Sequence, residues 1–166
     1  MRKHILLLIT LLATLKVTAQ NSENFYFSNL NLKDGLSQIS VLKIFQDTKG
    51  FIWFGTRNGL NRYDGSEFVI YKHDPKDSLS LSDNHIWSLA EDNDRNLWIG
   101  TARGLNKLDL KTNRIKPFVD ERYGAFAKSE VRCLTVDSRN RLWIGTTKGL
   151  YLYAVSYTHL TLPTKA

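Results

Sequence analysis

Asn96-Leu97-Trp98-Ile99-Gly100-Thr101, closed by Gly104-Leu105, is the stretch that decides the fold. It recurs 45 residues to either side, as Phe51-Ile52-Trp53-Phe54-Gly55-Thr56 with Gly59-Leu60 and as Arg141-Leu142-Trp143-Ile144-Gly145-Thr146 with Gly149-Leu150. The register also holds upstream: Val41, Ile86 and Val131 align, then Ile44, Leu89 and Leu134, then Asp47, Asp92 and Asp137. A repeat of this length is either a helical solenoid or a four-stranded propeller blade.

The punctuation inside the repeat chooses between them. Gly50, Gly55, Gly59 and Gly65 interrupt every helix of useful length, and each interior glycine costs a helix about 1 kcal/mol relative to alanine. Short strands fit instead: Val41 to Gln46, Phe51 to Gly55, Leu60 to Asp64 and Phe68 to Lys72, with turns between them. Side chains alternate across a strand, so Ile52 and Phe54 face one way and Trp53 the other. Both faces are apolar and both need cover. Blades stacked around an axis supply it, because each sheet lies between two neighbours and only short edges remain. Burying one indole removes about 150 to 250 Å² from water, worth roughly 4 to 6 kcal/mol as an upper estimate. Trp53, Trp98 and Trp143 are therefore expected in the core between blades, and Asp47, Asp92 and Asp137 in turns that bond their own backbone.

The expected fold class is all-β: an incomplete β-propeller of about two and a half four-stranded blades. The blades run over residues 41–85, 86–130 and, in part, 131–153, with 20–40 leading into the first. Closing a propeller takes about four to eight blades. Met1 to Ala19 has the form of an export signal: a basic start at Arg2, Lys3 and His4, an apolar run from Ile5 to Leu15 broken by two threonines, and small residues at Val17-Thr18-Ala19. Such a run is shorter than the roughly 20 residues that cross a bilayer as a helix. Residues 154–166 have no counterpart in the other copies, and Val155 to Thr164 resembles translated sequencing-adapter read-through, so this tail is set apart as non-native.

Composition limits the chemistry. The net charge of +7 falls to +4 without Arg2, Lys3 and Lys16 of the leader, and both signs are interspersed along the rest. That pattern lacks the basic stripe of a nucleic-acid binder. One cysteine, Cys133, forms no internal disulfide; in the column of Lys43 and Ser88 it is expected as an inert buried thiol. No zinc-protease, serine-hydrolase or phosphate-loop signature occurs. Outside leader and tail only His73 and His85 remain, too few for a histidine metal cluster. No catalytic residue, metal site or cofactor is assigned.

Ligand-binding candidates are the positions that break the repeat. Trp87 stands in the column of Leu42 and Arg132, close to His85, as an aromatic face with polar neighbours. Arg57, Arg103 and Lys148 sit in the turns that follow Gly-Thr in successive copies, and on one shared rim they make a basic arc suited to a uronic or sulfated sugar. The plainer readings are an interior tryptophan and solvated turn charge.

At the residues quoted above the chain resembles the two-component regulator propeller repeat: an Asp-x-x-Gly turn, then Trp-Ile-Gly-Thr, then Gly-Leu. Lys33-Asp34-Gly35-Leu36-Ser37 and Gly59-Leu60-Asn61-Arg62-Tyr63-Asp64-Gly65 are similar to the opening of sensors of that family. The resemblance covers residues 25–153. Arg95 and Asn140 depart from it by standing where the turn glycine is expected; asparagine tolerates positive φ and arginine does so less readily. The resemblance implies a periplasmic sensor of the hybrid two-component type found in gut Bacteroidetes. In that family two propellers and a further β-domain precede a membrane helix, a histidine kinase, a receiver and a DNA-binding region, and the ligands are typically oligosaccharides. The implied partners are an oligosaccharide, the remaining blades and kinase region, and a second copy in a homodimer. Two other readings stay open. One is an exported propeller lyase or glycosidase, for which Glu67, Asp83, Glu121 and Glu130 are acids without shared spacing. The other is a structural or adhesion propeller.

Overall fold

The computed structural model describes residues 26–119 and 128–154; the expected export signal and residues 155–166 of the tail lie outside them. A short 3-10 turn at Leu32–Asp34, closed by Asn31 and Asp34 capping each other's amides, leads into eleven strands among the described residues. These are β1 Val41–Gln46, β2 Ile52–Thr56, β3 Gly59–Tyr63, β4 Phe68–Tyr71, β5 Ile86–Glu91, β6 Asn96–Thr101, β7 Gly104–Asp109, β8 Arg114–Pro117, β9 Val131–Val136, β10 Arg141–Thr146 and β11 Gly149–Ala154. They form two four-stranded antiparallel meanders, β1 to β4 and β5 to β8, and a three-stranded one, β9 to β11. These are propeller blades. Strand ends differ from the sequence reading by a residue, and Ala154, set apart with the tail, pairs with Arg141 inside β11.

The requirement for cover on both faces is visible in the burial. Every residue of the central strand β6 is buried, whereas β2 and β10 on either side are buried at only some positions. Trp53 packs with Leu60, Ile86, Leu89, Leu97 and Ile99, joining the first sheet to the second. Trp98 packs with Leu105, Val131, Leu142 and Ile144, joining the second to the third. The tryptophans of the first two blades thus point to the following sheet, and the aliphatics flanking the tryptophans of the second and third point to the preceding one. Coverage alone separates equivalent residues: Leu89 is 2% exposed between two sheets, while Ile44, its counterpart on the outer face of the first, is 62% exposed.

The same logic corrects the expectation for Cys133. Its counterpart Ser88 is buried against the third sheet and donates to the Val131 carbonyl at 3.2 Å. Cys133 lies on the face of the third sheet that no described residue covers, and it is exposed. Trp143, on that same face, is only half-buried.

Two local devices hold the sheets in this packing. Asp47, Asp92 and Asp137 each accept backbone amides through Oδ1 from residues two and four positions on, as expected of such turns. Each also accepts the indole Nε1 of the blade's tryptophan through Oδ2, at 2.9, 2.8 and 3.0 Å. That second bond was not read from the sequence. The turn they close needs a left-handed residue, filled by Gly50 at φ 91°, Arg95 at 71° and Asn140 at 58°. Arg95 keeps the geometry of the other two, with its amide 3.1 Å from the Asp92 carbonyl. Its carbonyl accepts from the Leu110 amide at 3.0 Å and its side chain pairs with Glu91 at 3.5 Å.

The second device is close approach. A Cβ on Gly55 would lie 2.8 Å from the Ile86 side chain, and one on Gly100 would overlap Ser88 and sit 2.5 Å from the Val131 carbonyl. These glycines follow the tryptophan by two and share its face, so the next blade's first strand rests directly on their backbone.

Two outcomes follow, both measurable by urea unfolding. Gly100→Ala should cost about 2 to 3 kcal/mol through overpacking, whereas Gly145→Ala, where the nearest atom is the Cys133 Cβ at 3.2 Å, should cost under about 1 kcal/mol. Asp92→Ala strands the buried Trp98 indole and should cost about 3 kcal/mol. Asp137→Ala should cost about 1 kcal/mol because water reaches Trp143. Equal losses at the paired positions would contradict the account.

Candidate functional site

Contacts between sheets are concentrated on the first strands: β5 lies against β1 and β2 on one side and is itself covered by β9 on the other. The first strands are therefore the inner edge from which the blades fan out. In each of them the register slips at the second residue, between Val41 and Lys43, between Ile86 and Ser88, and where Val131 and Cys133 face Thr146 and Gly145. The residues at these bulges are Leu42, Trp87 and Arg132. A bulge turns its side chain out of the regular pleat, so the column that breaks the repeat is also the column aimed away from the blade's own ladder.

The entry to the inner strand of the second and third blades is tied down by the turn that follows the blade's second strand. The Ala102 amide donates to the His85 carbonyl at 3.0 Å and the Thr147 amide to the Glu130 carbonyl at 3.2 Å. His85 and Glu130 are thereby held at the end of the sheets that carries the Arg57, Arg103 and Lys148 turns. The His85 amide donates to Asp83 Oδ1 at 2.8 Å, and Asp83 pairs with Arg103 at 3.4 Å.

Here side chains from consecutive blades meet. The imidazole of His85 stacks on the indole of Trp87 with centroids 4.1 Å apart and planes 28° from parallel. The Arg132 guanidinium lies 4.3 Å from the Trp87 ring centre. Arg132 also bonds to Glu130, with Nε 2.7 Å from Oε2. A flat imidazole and a guanidinium this close to one ring would overlap on the same side, so they take opposite faces of the indole. His85 Nε2 and Trp87 Nε1 are both buried and have no hydrogen-bond partner. An unpaired buried polar atom costs about 1 to 3 kcal/mol, which makes this the least satisfied spot at the inner edge. Burial holds the His85 imidazole below its usual basicity, and the nearby Arg57 and Arg132 charges add to this against Asp83 and Glu130.

The sequence candidates are partly gathered here. His85 and Trp87 form the centre, Arg57 bears on His85 electrostatically, and Arg103 reaches the cluster through Asp83. Lys148 is exposed in the β10–β11 turn. Arg103 and Lys148 are equivalent, each donating its amide to the threonine hydroxyl two residues before it, but the residue that does so in the first blade is Asn58, and Arg57 lies one position earlier. Both faces of the Trp87 ring are taken by the protein's own side chains, so it offers an edge and no open stacking platform.

Glu130 and Arg132 were not picked out as site residues. The signal was present, since Glu130 shares the column of His85 and Arg132 that of Trp87, and stacked blades place a column side by side. Asp83 and Glu130, read as scattered acids, both bear on His85, and each is tied to an arginine. Glu67 is exposed in the β3–β4 turn, and Glu121 lies outside the described residues. A cleft of about 390 Å³ between β7, β8 and Leu79, lined by Lys107, Asp109, Arg114 and Lys116, shares no residue with the cluster. No group of three or more metal-ligating side chains occurs among the described residues. No described helix is long and apolar enough to cross a membrane.

The model of the two-component regulator propeller family matches residues 35–58, 80–103 and 126–148, one segment per repeat. Histidine kinase P4 of Formosa agariphila is 52% identical over 68 residues, which is 41% of this chain and 5% of that protein. Two crystal structures of the extracellular domain of BT4673 from B. thetaiotaomicron, assigned in one as a one-component and in the other as a hybrid two-component system, align with TM-scores of 0.62 and 0.63 at 28% identity. Each alignment covers 78% of this chain and 17% of that domain. The chain thus spans a small part of the relatives it matches.

Folding lowers the basicity of His85, so on acidification the unfolded chain takes up the proton first. The cluster's contribution to stability should be full above about pH 7 and decline as the pH falls through about 6.5. In an NMR titration the His85 midpoint should lie below 6.5, and Arg57→Ala should raise it. A midpoint at or above that of a free histidine would contradict the electrostatics described.

Proposed function

We propose that this chain, whose three repeats match the model of the two-component regulator propeller, is the exported, ligand-sensing propeller region of a hybrid two-component sensor histidine kinase. In this reading it faces the periplasm, recognises an oligosaccharide, and passes the event to a membrane-linked kinase that controls transcription. The observation that carries it is the likeness to extracellular domains of such systems, joined to the similarity with a named histidine kinase. Its partners are then the remaining blades of the propeller and the kinase region, neither of which lies in these residues.

The mechanism this fold supports is a change in blade packing. A ligand shifts an equilibrium only by binding one arrangement better than the other. The inner-edge cluster meets that condition in principle, since it joins side chains of neighbouring blades and holds two nitrogens whose hydrogen-bonding capacity is unmet.

The test is the gene and its product. The coding sequence beyond the Tyr153 codon should encode one apolar membrane-spanning segment and then histidine-kinase motifs. Membranes carrying that full-length protein should change their level of phosphorylation when a cognate oligosaccharide is added. A stop codon shortly after Tyr153 in the source genome would overturn the reading.

A further inference from the structure

We propose that the His85–Trp87 pair, covered by Arg132, is a subsite for the acidic group of a saccharide, the carboxylate of a uronic acid or a sulfate ester. The proposal rests on the saccharide-sensing reading above and specifies the chemistry of its ligand.

Three features carry it. The first is that the indole is already sandwiched between His85 and Arg132, so a sugar ring has no free face to stack on. What remains for recognition is the edges of the two rings. The second is the chemistry of those edges. Trp87 Nε1 is a donor only. His85 stays neutral next to Arg57 and Arg132, and in the tautomer with its proton on Nε2 it is a second donor. Both atoms are buried and unpaired, so an acceptor that reached them would replace no existing bond.

The third is the charge around them. Arg57, Arg103 and Arg132 face two carboxylates, Asp83 and Glu130, with His85 neutral between them. Arg103 and Arg132 hold those two acids, whereas Arg57 is exposed and pairs with no carboxylate among the described residues. The free positive charge thus lies on Arg57. An anion has complementary charge and several acceptor oxygens, and its bonds to guanidinium are charge-assisted and short. A neutral hydroxyl offers weaker acceptance, and a cationic group meets repulsion.

Arg132 is the movable cover. Its side chain is 50% exposed, and it springs from a bulge, where the ladder bonds are already interrupted. Lifting its guanidinium frees that face of the indole beside Nε1, and the anion then gains the guanidinium as a further donor. Arg57 belongs to the first blade, His85 and Trp87 to the second, and Arg132 to the third. An acidic group held by Trp87 and Arg132 therefore links the second and third blades, with the Arg57 charge of the first acting on it, which is the differential contact that sensing requires.

The experiment is calorimetric titration of the protein, expressed with the downstream sequence that its gene encodes, with three probes: trigalacturonate, a sulfated galactotriose and neutral galactotriose, at pH 7 and low salt. At least one acidic probe should bind ten-fold or more tightly than the neutral one and weaken as salt is raised; the tighter of the two acidic probes identifies the group. Trp87→Phe keeps the ring and removes the N–H, and Arg57→Ala removes the free charge. Each should weaken the acidic probe about ten-fold, with circular dichroism unchanged, while Lys116→Ala at the outer edge should leave it unaltered. Equal affinity for acidic and neutral probes, or wild-type titrations from both Trp87→Phe and Arg57→Ala, would overturn the acidic-group subsite and leave saccharide sensing standing. Absence of binding by all three probes, and by a wider saccharide panel, would overturn the sensing reading itself.

Discussion

A sheet that is apolar on both faces has no stable existence by itself, and that constraint shapes every part of this chain. It dictates that blades stack, and stacking at the observed spacing dictates glycine two residues after the tryptophan, because the neighbouring strand occupies the volume a Cβ would need. It also brings the indole N–H out of water. An acceptor must then be built in, and the Asp at the preceding turn supplies one with the carboxylate oxygen that the turn itself leaves free. Turn, strand and packing are thus coupled through one carboxylate per blade. At Asp137 burial opposes ionisation, yet the Arg141 and Arg139 amides, the Trp143 indole and the Arg141 guanidinium together hold the acid well below its ordinary range.

The fold was legible because periodicity is a global signal. The 45-residue recurrence, the glycine punctuation and the two-sided hydrophobicity of Ile52-Trp53-Phe54 pointed to the same architecture, and three sheets in meander order appear. Less legible were consequences of which neighbour is present. Cys133 and Ser88 share a column, and sequence alone assigns them one environment. The structure covers Ser88 and leaves Cys133 open. Arg95 shows the opposite case: a residue ill suited to a left-handed turn adopts it because the Asp92 carboxylate, the Leu110 amide and Glu91 all favour that geometry.

At the inner edge the sequence singled out residues that the structure brings together. Trp87 and His85 stood out by breaking the repeat, and they do stack. A tryptophan near polar neighbours reads as a sugar platform only while its faces are free, and what occupies them is His85 and a residue 45 positions away. Column neighbours are spatial neighbours in a stacked fold, so Arg132 and Glu130 were available from the alignment of repeats once that geometry was applied. The charge pattern followed the same rule. Asp83 and Glu130 are far apart along the chain yet bear on one imidazole.

The register slip at the second residue of β1, β5 and β9 separates two roles that a strand usually combines. Positions in the regular ladder answer to the blades on either side and tolerate little change. The slipped position answers mainly to the axial space, and it already hosts an aliphatic, an aromatic and a cationic side chain on equivalent backbones. The architecture therefore works as a turret with exchangeable fittings: one substitution per blade retunes the chemistry presented along the axis while the joints between blades keep their shape.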